Sequence, residues 1–172
     1  MGPVEVVFLV VIALFGAIGI VRGWSNELGV TTMLLLTLFV ITFLFPTGAA
    51  GRVDSLLLRI GVEDSQLIVI TSLIAVVALL AVTFVSYQGV GLTYPGGKKN
   101  NLLSLLIGLI NGYLLAGSVW YYLERANWPL ANVTEPFSDF YKFFSMILPP
   151  AIFPWQFFIL LAVAMLILRV IR

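Results

Sequence analysis

Cysteine and histidine are both absent from this 172-residue chain, and only 10% of its residues are charged. The two zero counts exclude disulfide frameworks, thiol nucleophiles, histidine-ligated haem or chlorophyll, the usual zinc sites and any histidine-based acid/base pair. A formal net charge of +1 gives no electrostatic support for binding nucleic acid. What the chain has in excess is apolar surface: 61% of its residues are hydrophobic and the mean hydropathy is +1.11. A water-soluble domain of this length has too little interior to hide that much. The composition implies an all-α, polytopic integral membrane protein.

Runs long enough to cross about 30 Å of hydrocarbon, at about 20 residues each, fall at 4–21, 28–45, 67–87, 102–123 and 154–170. Five transmembrane helices are therefore expected. The first carries Glu5 at its head and Arg22 at its foot, with no preceding Lys or Arg and no small-residue cleavage site, so it is expected to stay in the mature protein. Only residues 22–27 separate spans one and two, which predicts a tight antiparallel hairpin. Two short interfacial helices are expected between spans. One carries Val53, Leu56, Leu57 and Ile60 at helical spacing and stops at Gly61; the other carries Phe137, Phe140, Tyr141 and Phe144, with Thr134 and Pro136 offering a start. The Tyr94-Pro95-Gly96-Gly97 run reads as a tight turn.

Charge placement orients these spans. Arg22, Lys98, Lys99, Arg169 and Arg172 share one side with the single acid Glu27, next to short connections. The opposite side holds Arg52, Arg59, Arg125 and Lys142 among seven acids. The positive-inside rule then predicts the N-terminus outside and the C-terminus in the cytoplasm, with both interfacial helices on the outer face.

Small residues form two stripes: Gly16, Gly19 and Gly23 with Ala13 in span one, and Ser104, Gly108, Gly112 and Ala116 in span four. Lipid supplies no hydrophobic force between helices, so close backbone approach through small side chains is a main source of association. These stripes are the expected helix-packing seam, within one chain or between chains. Asn111, beside Gly112, is expected to act as a polar clasp to another helix, and the threonines of spans two and three to bond their own backbones. Lys98 and Lys99 are candidates to hold an anionic lipid headgroup, or simply a solvated positive anchor. Trp120, Tyr121, Tyr122, Trp128 and Trp155 are expected in an aromatic belt at the outer boundary. No Asp, Glu, Lys or Arg falls in the central turns of a span, which argues against a proton pump or ion-coupled carrier. Glu5, Glu27 and Glu124 lie near span ends without an evident acid/base partner. A phosphate loop ending at Gly97-Lys98 and a nucleophile elbow at Ser118 both fail on their flanking residues. No catalytic, metal or cofactor site is expected; bound lipid is allowed for.

Glu5, Gly19, Arg22-Gly23 and Glu27 together resemble the opening of the colicin V production protein (CvpA) family, whose first span begins with an acid and ends in Gly-x-x-Arg-Gly followed by Glu. A second match lies at Asn100-Asn101-Leu102-Leu103-Ser104 with Gly108 and Gly112, where the family tends to show Asp-Arg, two aliphatics and three glycines at intervals of four. The resemblance covers about 4–45 and 100–123, and departs from the family at both asparagines, at Ser104 and in a fifth span. It implies a bacterial inner-membrane protein tied to toxin-peptide export and envelope processes, with residues 1–123 as a four-helix core and 124–172 as an added aromatic loop and fifth helix. The expected function is a non-enzymatic scaffold or accessory protein, with membrane lipids, itself or other membrane subunits as partners. An auxiliary subunit of a respiratory or photosynthetic complex is the alternative, and a channel or carrier for neutral or lipidic solutes the third.

Overall fold

The computed structural model describes residues 2–46, 53–59, 61–90, 92–95, 100–129, 133 and 137–171. Among the described residues there are eight α-helices, one π-helical segment and no strand. Four helices are long and apolar enough to cross a membrane: α1 (Pro3–Arg22), α2 (Trp24–Leu44), α4 (Asp64–Val85, running on into a π segment, Ser86–Val90) and α5 (Asn101–Arg125). The short helices are α3 (Asp54–Arg59), α6 (Asp139–Met146) and α7 (Pro149–Ile152). Helix α8 (Trp155–Ile171) is apolar but has 17 residues, about 25 Å at 1.5 Å per residue.

Local chemistry sets the boundaries. Pro3 opens α1 with an N–H the helix does not need, and Glu5 in its first turn and Arg22 in its last complement the helix dipole. Gly23 ends it at φ +87°, a backbone conformation that glycine adopts without a steric penalty. Asn100 caps α5 by accepting from Leu103 N at 3.1 Å, so asparagine keeps the capping role an aspartate would have there. The second short aromatic helix starts later than its sequence pattern suggests, because Ser138 is its cap, accepting from Tyr141 N at 3.0 Å. Thr134 and Pro136 lie outside the described residues.

Helix α5 is the hub. Helices α1, α2 and α4 all pack against it, while α1 and α2, adjacent in the chain, touch little. The expected tight hairpin is thus a splayed one, because α1 turns its small face to α5. A Cβ added at Gly19 would come within 2.4 Å of the Ser104 carbonyl oxygen, and one at Gly108 within 2.4 Å of the Phe15 carbonyl oxygen. At Gly112 it would meet Ile12 Cα at 2.8 Å, and at Gly16 the Leu109 side chain at 2.7 Å. Backbone therefore lies on backbone along this seam. Gly23 takes no part in it: a Cβ there would meet nothing within 4 Å, and its role is the turn.

The main apolar core joins α2, α4, α5 and α8 through Leu34, Leu38, Leu79, Leu115, Phe158 and Ala162. Residues 155–165 therefore share one core with the first 123. The Arg169 guanidinium donates to the Thr93 carbonyl at 3.1 Å, which brings the end of α8 level with the α1–α2 turn and the loop before α5. The other end holds the start of α1, the end of α5 and helices α6 and α7. Trp120 and Tyr122, expected in a boundary belt, are buried instead. Outward-facing side chains are strongly apolar, among them Val7, Val21, Leu102, Leu160 and Val170. Buried side chains include Glu27, Thr32, Ser104 and Asn111.

Gly19→Ala and Gly108→Ala are each expected to lower stability in mild detergent by on the order of 1–3 kcal/mol, the usual range for overpacking, whereas Ala17→Leu, on the exposed face of α1, should leave it unchanged. Equal thermal midpoints for all four proteins would show that the seam carries no packing energy.

Candidate functional site: a buried carboxylate at the helix turn

Glu27 stands in the first turn of α2, where a negative charge gains from the helix N-terminus. Its side chain is 0% exposed. From sequence it is an acid near a span end with no evident acid/base partner; the structure buries it and surrounds it with hydrogen-bond donors. Asn111 Nδ2 donates to Glu27 Oε2 at 2.9 Å and to the Glu27 carbonyl at 3.0 Å. The Tyr87 hydroxyl donates to the same carboxylate oxygen at 2.8 Å, and Arg22 Nη1 to Oε1 at 3.3 Å. Around this carboxylate meet α1, α2, the π segment and α5.

Arg22 Nη2 donates to the Ser86 carbonyl at 3.3 Å, and the guanidinium lies 4.3 Å from the centroid of the Tyr87 ring, an attractive cation–π placement. The Thr31 hydroxyl lies 2.7 Å from Asn111 Oδ1 and 2.9 Å from the Glu27 carbonyl. Tyr87 sits edge-on to Phe15 at 5.4 Å. The π segment has a consequence here: it widens the end of α4, where it carries both Tyr87 and the carbonyl that receives Arg22. Such segments often mark sites of special geometry.

Burial comes from below as well. The loop through 92–94 folds under α2, with Ser25 Oγ donating to the Tyr94 carbonyl at 2.6 Å and Tyr94 N donating to the Ser25 carbonyl at 3.3 Å. Gly29 admits that loop, since a Cβ there would fall 1.5 Å from the Leu92 carbonyl oxygen. The Tyr94 and Thr32 hydroxyls are 2.7 Å apart. The threonines do bond their own helices, as with Thr37 to Met33 and Thr71 to Leu67, but Thr31 and Thr32 also reach across.

A second acid is held at the opposite end. Glu5, also buried, accepts from the Ser138 hydroxyl. Above it, Tyr141 accepts from Trp128 Nε1 at 3.0 Å, stacks on Phe137 at 4.5 Å and meets Trp120 at 5.1 Å. Phe8 packs edge-on against Trp120 at 5.3 Å. This second short helix is thus anchored by its buried Tyr141, while Phe140, Phe143 and Met146 face outward. Burial, with the Glu124 charge adding to it, pushes the Tyr141 phenol above its ordinary 10.0, against the lowering effect of the Trp128 hydrogen bond.

Of the residues singled out from sequence, Arg22, Glu27 and Asn111 come together, and Gly16, Gly19, Ser104, Gly108 and Gly112 form one contact. Ala116 lies farther along α5, against the aromatic cluster. Glu5 belongs to the other end. Lys98 and Lys99 lie outside the described residues. Tyr87, Thr31 and the Ser86 carbonyl were missed as partners of Glu27. Among the described residues, no group of three or more Asp or Glu could hold a metal ion. Three buried polar atoms lack a hydrogen-bond partner among the described residues: Ser72 Oγ, Ser118 Oγ and Trp120 Nε1. Comparison with family models, curated proteins and solved structures returns no match for this chain.

Asn111→Leu would strip one donor from a buried carboxylate and is expected to cost on the order of 1–2 kcal/mol. Coupled with Tyr87→Phe in a double-mutant cycle, it should give a non-additive loss; strict additivity would break the network reading. The sign for Tyr141 follows from its raised value. The folded chain holds the neutral phenol while the unfolded chain ionises near pH 10.0, so stability falls as pH rises beyond that point. Tryptophan fluorescence should report the alkaline loss in the wild type and a flatter profile in Tyr141→Phe.

Proposed function

We propose that this chain is a non-enzymatic, multi-pass protein of the bacterial inner membrane, of the colicin V production type, acting as a scaffold or accessory component in envelope or export processes. The observation that carries the reading is the saturation of the buried Glu27 carboxylate by its neighbours. Glu27 has donors from three other helical segments, and its one charged neighbour, Arg22, is its own counter-ion. A carboxylate so enclosed serves to lock helices in register and has no approach for a substrate. The motif residues Arg22-Gly23 and Glu27, on which the family resemblance rests, are those that build the turn and the lock.

Five spans with the N-terminus outside suit the packing of α8 along α2 and the return of Arg169 to the loop at Thr93. That end is the cytoplasmic one in this reading, and α3, α6 and α7 lie outside. The auxiliary-subunit reading has one observation in its favour: among the long helices, α8 packs chiefly on α2, and its other faces carry exposed Leu160, Val163, Ile167 and Leu168, a surface that another membrane subunit could cover. Transport of a neutral solute gains little support, since Asn111 and Thr31 bond inward and line neither of two sizeable cavities, of about 540 and 440 Å3.

Gentle extraction of the full chain followed by native mass spectrometry is expected to give a discrete self-assembled species. A cofactor-bearing protein recovered in fixed ratio would overturn the scaffold reading in favour of the auxiliary subunit. Because the chain has no cysteine, topology can be tested with single introduced thiols. Asp139→Cys should react with a membrane-impermeant maleimide in intact cells, and Thr93→Cys only after permeabilisation; the reverse pattern would invert the orientation.

A further inference from the structure

Helices α6 and α7 belong to the outer side, yet their contacts lie well down the flank of the bundle. The entry is shallow: Ser138, the cap of α6, donates to Glu5 in the first turn of α1. By Phe144 the chain has reached Phe8, five residues into α1, with the rings 5.3 Å apart. The Tyr113 hydroxyl then donates to the Ile147 carbonyl, and Pro149 packs on Gly117 so closely that a Cβ there would come within 2.6 Å of its ring. Gly117 lies eight residues and Tyr113 twelve before Arg125, where α5 ends, about 12 and 18 Å inward at helical rise. Half of a hydrocarbon layer is about 15 Å. Trp155 is back at the outer end, 5.3 Å from Phe43, one residue before the end of α2. The chain thus descends and returns on one side before α8 crosses.

Backbone at such depth finds no water, so its polar groups must be satisfied by the protein itself. The Ile147 carbonyl has the Tyr113 hydroxyl. The Leu148 carbonyl accepts from Ala151 N and Ile152 N at 2.9 and 3.1 Å, the Pro149 carbonyl from Phe153 N at 3.0 Å and the Pro154 carbonyl from Phe157 N at 2.9 Å. Pro149, Pro150 and Pro154 have no N–H to satisfy. Asp139 and Lys142 are the last charges on the way down, and none occurs from Phe143 to Leu168. Along the outward side of α6, Phe140, Phe143 and Met146 form an exposed stripe at intervals of three, with Met146 74% exposed. We propose that residues 139–154 form a re-entrant segment that dips into the outer leaflet, and that this stripe is a contact surface for lipid acyl chains. Periodicity alone reads α6 as a helix flat at the boundary, because a pattern gives the apolar stripe and not its depth. The inference rests on the membrane reading of the chain.

The test uses the full chain, reconstituted in palmitoyl-oleoyl phosphatidylcholine vesicles, with single introduced cysteines carrying a nitrobenzoxadiazole dye. Met146→Cys and Phe143→Cys are exposed positions, so the dye displaces no packed side chain. Dye at either should lose its emission to a lipid nitroxide placed deep in the acyl chain and keep it against aqueous iodide. Dye at Asp139→Cys, at the mouth of the dip, should lose its emission to iodide instead. Val77→Cys, 65% exposed in the middle of α4, is the deep reference. Iodide quenching at Met146→Cys and Phe143→Cys, or stronger quenching there by a nitroxide near the glycerol than by the deep one, would place α6 on the surface and overturn the dip. If Val77→Cys is still quenched by the deep nitroxide in that case, the membrane reading stands without the dip; loss of deep quenching at Val77→Cys as well would overturn the membrane reading itself.

Discussion

The architecture depends on the contact of α1 with α5 at backbone distance. Gly16 and Gly19 on one helix and Gly108 and Gly112 on the other leave room only for hydrogen, so the two helices approach more closely than any ordinary side chain permits. In water such a seam would gain little over an apolar one. In a lipid environment, where apolar side chains have no preference for one another over acyl chains, closeness itself is the favourable term, through dispersion and complementary shape. Once α1 is committed to α5, α2 leaves Gly23 toward a different face, and α4 and α8 close round the remaining sides. The splayed turn is thus a consequence of the seam.

That splay creates the Glu27 network. Glu27 is the fourth residue of α2, yet its carbonyl meets the side chain of Asn111, the eleventh residue of α5. The start of α2 is therefore recessed beside the third turn of α5, and the loop through Leu92 and Tyr94 folds beneath it. A carboxylate at that depth is tolerable only because an adjacent arginine neutralises it and two neutral donors complete its shell. Removing any one donor leaves the buried carboxylate short of a partner, which makes the group specific for one helix arrangement. The opposite end uses the same device in reduced form, with Glu5 held by the cap residue of α6.

Much of this was legible in the sequence. Helical class, the long apolar elements and the glycine spacing follow from periodicity, because a stripe at intervals of four has one meaning on an α-helix. Asn111 could be recognised as a clasp from its place in an apolar run. Its partner could not, since Glu27 looks like a loop-proximal acid until the recess of α2 is known. Tyr87 was hidden by the π segment: a regular α-helix through Ser86–Val90 would present its residues differently, and no residue there marks the widened turn. Trp120 and Tyr122 misled for a related reason. Their position near the end of a span suits a boundary belt, but α6 and the segment before α7 fold back over Trp120, and Tyr122 faces the core shared with α2 and α8. Pro149 sits against Gly117 and the Tyr113 hydroxyl reaches the Ile147 carbonyl.

The exterior is apolar, unlike that of a soluble bundle, while the interior mixes an apolar core with polar groups, and this bears on what such a chain can do. Among its buried polar groups, Glu27, Asn111, Thr31 and Thr32 bond between elements. Each internal bond is satisfied locally at the Glu27 end, where geometry admits nothing further. At the aromatic end an open apolar groove is left between α1 and α4. A protein that is closed at one end and grooved at the other is suited to packing against its surroundings. Its chemistry is then that of association, with the locked end fixing the helices and the open end determining what lies against them.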